Sequence, residues 1–262
     1  MFIRGLLSCV QQCTDRVHSS SDCKHEPIQQ CFRAFEILFK LVIQSRRLYA
    51  RAILENQEDD DFRQYVQALF ATFNKVASLN SDVLVSTQVI KTSKFVTISN
   101  QFHNTRSLLQ VVLLRNIYTV VEQLSEILSQ AESAKLLASL IDSLPKEPHP
   151  LIATARMQLV LTTVHGPLFT ESSAARAILL ATICRQLRLH LAQPLVMSLC
   201  TETLGHMMNF YRKMSMMDDT TVDNIWYRDV ETVTLATLGV LIQAVHLAQK
   251  TDSNVVNSIL NT

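Results

Sequence analysis

Residues 27–52 read PIQQCFRAFEILFKLVIQSRRLYARA. Large apolar side chains crowd this stretch, yet polar ones interrupt every apolar run. On a helix the polar positions Gln29, Arg33, Glu36, Lys40, Gln44, Arg47 and Arg51 follow steps of 4, 3, 4, 4, 3 and 4, close to the helical period. One narrow polar stripe is therefore expected to face water. Ile28, Cys31, Phe32, Phe35, Leu38, Phe39, Leu41, Val42, Ile43, Leu48 and Tyr49 occupy the remaining surface. An ordinary surface helix carries an apolar arc of about 100°, so this helix is expected to be covered on most of its circumference. Pro27 suits a first turn, because proline has no N–H to leave unbonded there. Glu36 and Lys40 are placed for an i,i+4 ion pair on the wet stripe. A membrane span needs about 20 mostly apolar residues in succession, and Arg33, Glu36, Lys40 and Arg46 prevent it. The stretch reads as a helix sandwiched between neighbours in a soluble protein.

The whole chain fits that reading. Its 262 residues are 48% hydrophobic, enough for one large domain or two small ones. Only 4 Gly and 6 Pro are present, too few for many hairpin turns or phosphate-cradling loops. A net charge of +1 supplies no global field to draw nucleic acid or an anionic membrane. The cysteines are Cys9, Cys13, Cys23, Cys31, Cys184 and Cys200. The last two sit in apolar helical patterns, where a free thiol behaves as a small hydrophobe. This usage points to a reduced, intracellular protein rather than a disulfide framework. MFIRGLLSCV at 1–10 imitates a signal peptide, but its apolar run is short and no small-residue cleavage site follows.

Helical patterns recur at about 2–16, 27–53, 60–79, 108–129, 131–144, 150–165, 171–192, 194–215 and 220–249. The third presents Phe62, Val66, Leu69, Phe70, Phe73, Val76 and Leu79 on one face, with Asp59–Asp61 at its start, where carboxylates meet unbonded N–H groups. Long helices joined by short connections imply an all-α fold of stacked antiparallel helix pairs, an armadillo- or HEAT-like α-solenoid running as a single region over 1–262. A helical bundle is the competing architecture. No clean period of 34 or 40 residues is visible, so the repeats are degenerate.

Several stretches invite a chemical reading and a plainer one. Cys9, Cys13, His18, Cys23 and His25 contain metal-ligating types, but the first pair is spaced i,i+4 and the rest are loosely placed, unlike zinc knuckles. EDDDF at 58–62 lacks the alternation and mid-loop glycine of a calcium loop and reads as a charged helix start. RQLRLHL at 185–191 puts Arg185 and Arg188 on one face, but without interleaved aromatics it reads as a solvated rim. TVTLATLGVLIQAVHLAQ at 232–249 carries no formal charge, yet Thr234, Thr237, Gln243 and His246 recur on one side. It reads as a buried helix with His246 at its rim rather than a membrane span. MSMMDD at 214–219, with Met207 and Met208 nearby, suggests core filling, or else an adaptable partner surface. No P-loop, nucleophile elbow, H-E-x-x-H or dinucleotide fingerprint occurs. No catalytic, cofactor-binding or metal residue is assigned, no cofactor is expected, and no arrangement for catalysis is legible.

FRAFEILFKLVIQSRRLYAR at 32–51, DFRQYVQALFATFNKVASLNS at 61–81, NIYTVVEQLSEIL at 116–128 and LFTESSAARAILLATICRQLRLHL at 168–191 resemble, in collinear order, the central armadillo-like helical region of the dedicator-of-cytokinesis (DOCK) family, in its Sponge-like branch. The resemblance implies a fragment of a cytoplasmic guanine-nucleotide exchange factor for Rac-type, and in this branch also Rap, small GTPases, acting in cytoskeleton regulation. It implies an Elmo-binding region, a lipid-binding domain and an exchange domain elsewhere in the polypeptide, so the chain itself is not expected to be an enzyme. Its role is expected to be that of a scaffold, with an unrelated armadillo-like protein-binding adaptor as the alternative. One departure from the family stands out. Segments like STQ and VVLLRNIYTVVEQL nearly adjoin there, whereas VIKTSKFVTISNQFHNTRSLLQ separates them here at 89–110. This polar, poorly periodic segment is expected to be a disordered insertion, either a genuine surface loop or the product of a retained intron. The polar tail TDSNVVNSILNT at 251–262 is likewise expected of a partial chain.

Overall fold

Phe62, Val66, Leu69, Phe70, Phe73, Val76 and Leu79 are all buried on one face of a helix, as their spacing requires. The computed structural model describes residues 2–19, 26–52, 57–79, 93–146, 149–217 and 225–260. Eleven helices and no strand occur among them. In chain order they are α1 (Phe2–Ser19), α2 (Glu26–Arg33), α3 (Phe35–Ala52), α4 (Gln57–Ala77), α5 (Ser93–Leu124), α6 (Gln130–Ser143), α7 (Pro150–His165), α8 (Pro167–Thr170), α9 (Ser173–His190), α10 (Met197–Met217) and α11 (Ile225–Leu260). The described residues group into two compact units, Met1–Leu159 and Val160–Thr262.

In the first unit, α2 and α3 are one helix with a local break at Ala34. The Ala34 N–H donates to both Gln30 O at 3.0 Å and Cys31 O at 3.1 Å, and the Leu38 N–H returns to Ala34 O at 2.9 Å. With these two taken as one helix, alternate helices stack: α1 on α4, α2 and α3 on α5, and α4 on α6. Consecutive helices touch as well, as in α1 with α2, α4 with α5 and α5 with α6. Two layers of helices result, each member covered by partners one and two places away, which is the helix-pair architecture of α-solenoids. Phe32, Phe35, Phe39, Phe70 and Phe73 fill the space between layers, with ring centroids 4.8 Å apart for Phe32–Phe35 and 5.1 Å for Phe35–Phe73. Such tilted aromatic pairs add about 0.5–1.5 kcal/mol each beyond burial.

The polar stripe is only partly as expected. Arg33, Glu36, Lys40, Gln44 and Arg47 are exposed, and Lys40 Nζ meets Glu36 Oε1 at 2.6 Å. Gln29, however, is buried, and Ile37 and Leu48 are each 66% exposed, with Leu41 also open. The side chain of Arg51 lies outside the described residues. Stacking covers α3 toward α5 and α1 but leaves its outer arc open, so the wet face is wider than the polar residues alone mark out.

The segment 89–110, read from sequence as a disordered insertion, is described in part. Residues 89–92 lie outside the described ones, but from Ser93 onward the segment is the beginning of α5. It contains no Gly or Pro to stop a helix. At its end Ser107, Leu109 and Gln110 are buried. The Gln110 side chain terminates α4: its Nε2 donates to Ala77 O and Leu79 O, both at 2.8 Å, with Val76 O at 3.3 Å. Carbonyls at a helix end have no partner within the helix, and here a glutamine from the next helix supplies one.

The second unit repeats the packing rule. α9 stacks on α11, and α10 touches both. Gly166 caps α8 with Pro167 behind it, and the Ser172 hydroxyl accepts the Ala175 N–H at 3.2 Å to start α9.

Candidate functional site

Cys9 and Cys13 lie one turn apart on α1, and Cys31 of α2 joins them, a residue that spacing alone did not associate with them. Burial pushes the Cys31 thiol up to about 11, and the nearby Cys9 and Cys13 add to the shift. The side chain of His18, and all of Cys23 and His25, lie outside the described residues. Among the described residues no group of three or more His, Cys, Asp or Glu could hold a metal ion. His165 and His206 pack edge-on at 3.9 Å between ring centroids, but zinc sites use at least three protein ligands.

Asp60 and Asp61 are exposed at the start of α4, and Arg63 reaches Asp60 Oδ1 at 3.6 Å and Glu132 Oε1 at 3.8 Å. Arg185 and Arg188 are exposed, as a solvated rim requires, while Leu187 and Leu191 are buried beneath them. Cys184 and Cys200 are buried, and burial pushes their thiols up to about 11 and about 12. The methionines divide: Met207 is buried, whereas Met208 and Met216 are exposed, so core filling accounts for only part of this cluster.

The second unit holds a buried polar node that local pattern did not reveal. Arg176 of α9 donates from Nε to Asp229 Oδ2 of α11 at 3.0 Å, and from Nη1 to Phe169 O of α8 at 3.0 Å. Its guanidinium lies 5.2 Å from the centre of the Phe210 ring. The Tyr211 hydroxyl of α10 makes a long contact of 3.5 Å to the same Asp229 oxygen. Burial, with Asp229 adding to it, raises the Tyr211 pKa. These contacts tie α9 to α8 and α11, and α10 to α11, so the node helps to fix how the four helices register. A buried ion pair of this kind is a registry device more than a source of stability.

The open feature of this unit is a groove of about 390 Å³ between α10 and α11, lined by Thr201, Leu204, Gly205, Met208, Thr234 and Leu238 among others. Residues 232–249 were expected to form a buried helix, but burial covers one side only. Val233, Thr237 and Ala244 are buried, while Leu235, Leu238, Ile242 and Val245 face outward. His246 is exposed, consistent with a rim position. No helix among the described residues is long and apolar enough to cross a membrane.

A family model described as the dedicator of cytokinesis (DOCK) TPR region matches residues 2–260. Among curated proteins, dedicator of cytokinesis protein 3 of mouse and of human is 28% identical over 244 residues, which is 92% of this chain and 10% of that protein. Dedicator of cytokinesis protein 4 of mouse is 25% identical over 214 residues, covering 81% of this chain and 10% of the relative. The chain thus spans about a tenth of the length of the curated relatives it matches. No solved structure matches it. With nearly every residue inside the family match, this chain belongs to the dedicator of cytokinesis family, within its TPR region.

Proposed function

We propose that this chain is the structural helical region of a cytoplasmic guanine-nucleotide exchange factor for Rac- or Rap-type small GTPases, and that it spaces the membrane-binding and exchange portions of the longer polypeptide. The observation that carries this reading is the family match over residues 2–260. The alternate-helix stacking in each unit supports it physically, since helices that contact only near neighbours make a semi-rigid spacer. Binding of the GTPase, of Elmo and of lipid belongs on this reading to parts outside the chain.

The test uses a Rac-type GTPase loaded with a fluorescent guanosine diphosphate. The full-length protein is expected to accelerate nucleotide release, and residues 1–262 alone to leave it at background. Replacing 2–260 in the full-length protein by a flexible Gly/Ser linker is expected to spare exchange on soluble GTPase and to lower it on vesicle-bound GTPase. Acceleration by the 262-residue chain alone would sink the reading, as would an unchanged rate on vesicles after replacement.

A further inference from the structure

Helix α11 has two apolar arcs. Val233, Thr237 and Ala244 form the first, which is buried, with Thr237 also at the wall of the α10–α11 groove; Asp229 of the same helix meets Arg176 of α9. The second comprises Leu235, Leu238, Ile242 and Val245, at steps of 3, 4 and 3, and spans roughly 120° of the helix with Leu241 at its edge. Leu235 is 77% and Leu238 is 53% exposed. This arc is continuous with the α10–α11 groove, since Leu238 and Leu241 line that groove opposite Leu204 and Met208. Gly205 leaves the floor open, with nothing within 4 Å of where a Cβ would stand. On one side Thr232, Ala236, Gly239 and Gln243 separate the two arcs with small and polar residues, and on the other the arcs adjoin through Thr234 and Leu241. The pattern is that of a helix designed for partners on two sides, with one side covered.

The packing rule says which partner belongs on the other. In the first unit, with α2 and α3 taken as one helix, α1, α2–α3 and α4 each stack on the helix two places along, and in the second unit α9 does the same with α11 while α10 touches both. α9 has its stacking partner in α11. The corresponding partner of α10 would be the helix following α11, and by the same rule it would touch α10 and α11 together. The groove lies between those two helices.

We propose that the α10–α11 groove and the Leu235–Val245 arc seat one further amphipathic helix of the same polypeptide, encoded after residue 262. Its apolar face would bury Leu238 and Met208, and its polar face would continue the wet side of the array. The curated relatives are about ten times as long as this chain's matched portion, which leaves ample sequence to supply it. The inference rests on the longer polypeptide of the proposed function but not on its exchange activity, so the two can fail separately.

The test compares residues 1–262 with the full-length polypeptide, each carrying Leu238→Cys. Maleimide labelling is followed peptide by peptide, with exposed Cys9 as the internal reference. Relative to Cys9, the introduced thiol is expected to react at least about tenfold more slowly in the full-length polypeptide than in the 262-residue chain. As a second measurement, Leu235→Lys combined with Leu238→Lys is expected to speed hydrogen exchange in α10 and α11 of the full-length protein while leaving the shorter chain unchanged. An unchanged labelling ratio overturns the proposal. Protection already present in the 262-residue chain and rising with its concentration also overturns it, in favour of a second copy as the occupant. So does a reading frame that ends at residue 262.

Discussion

Arg176 and Asp229, 53 residues apart in sequence, meet at 3.0 Å with both side chains almost fully buried. Removing one partner strands the other charge, at a cost of about 3–5 kcal/mol, whereas replacing both with apolar residues of similar volume is often neutral or better. Asp229→Ala is therefore expected to destabilise the protein far more than Arg176→Met combined with Asp229→Leu. Tyr211→Phe, which removes only the long hydroxyl contact, is expected to cost at most about 1 kcal/mol. Urea denaturation of the three variants checks the order, and a double variant as unstable as Asp229→Ala would contradict it.

The Gln110 amide is the donor for carbonyls at the end of α4. Gln110→Leu keeps the bulk and removes the donor, leaving buried carbonyls unsatisfied at about 1–3 kcal/mol. Gln110→Glu is expected to be worse, since a carboxylate would face carbonyl oxygens. Hydrogen exchange should quicken first at the last turn of α4; uniform quickening throughout the first unit would point to a different role for the glutamine.

α6 begins with a complete capping box, in which the Ser129 hydroxyl accepts the Glu132 N–H and Glu132 accepts the Ser129 N–H. Ser129→Ala is expected to cost about 1 kcal/mol. The hydrogen bond from the Ser129 side chain, then that from its backbone, lowers the Glu132 pKa below its ordinary 4.5. A depressed carboxylate contributes stability that is present above the ordinary value and is lost as pH falls through the folded value. The melting temperature of the parent chain is thus expected to fall more steeply below pH 4.5 than that of Ser129→Ala. Parallel curves would show that the cap does not titrate as described.

The thiols predict the opposite limb. Burial lifts Cys31 and Cys184 to about 11 and Cys200 to about 12 from an ordinary 9.0. A raised folded pKa means stability fully present below the unfolded value and lost as pH climbs through the folded one. Thermal melts are expected to decline from about pH 9 upward. At neutral pH, iodoacetamide is expected to modify exposed Cys9 well before Cys31, Cys184 or Cys200, because the thiolate is the attacking species. Early modification of Cys200 would show that its surroundings open readily.

How much of this could be read from sequence depended on the range of the interaction. The face from Phe62 to Leu79 and the Glu36–Lys40 pair involve residues three or four apart, and both stand where the helical period places them. Which side of a helix its neighbours cover is a long-range matter, so Gln29 reads as wet and is buried, while Leu41 and Leu48 read as covered and are open. Gln110 closes a helix more than thirty residues earlier, and within a polar run nothing distinguishes it. Arg176 is a single charge among small and apolar neighbours, Asp229 sits between Arg228 and Glu231, and only the stacking of α9 on α11 joins the pair. The collinear blocks of resemblance pointed to the DOCK family, as the match over residues 2–260 bears out, since such blocks need no tertiary information.

The stacking of alternate helices in the first unit also bears on how the protein is made. α1 finds its partner once α4 has been synthesised, and α2 and α3 find theirs in α5. A nascent chain can therefore complete its layers in order as it leaves the ribosome, at about 5–20 residues per second, with apolar faces waiting only for the next helix or two to emerge. Slowing of translation once α4 has emerged would give α1 time to dock, whereas slowing before that would leave the apolar face of α1 waiting for its partner.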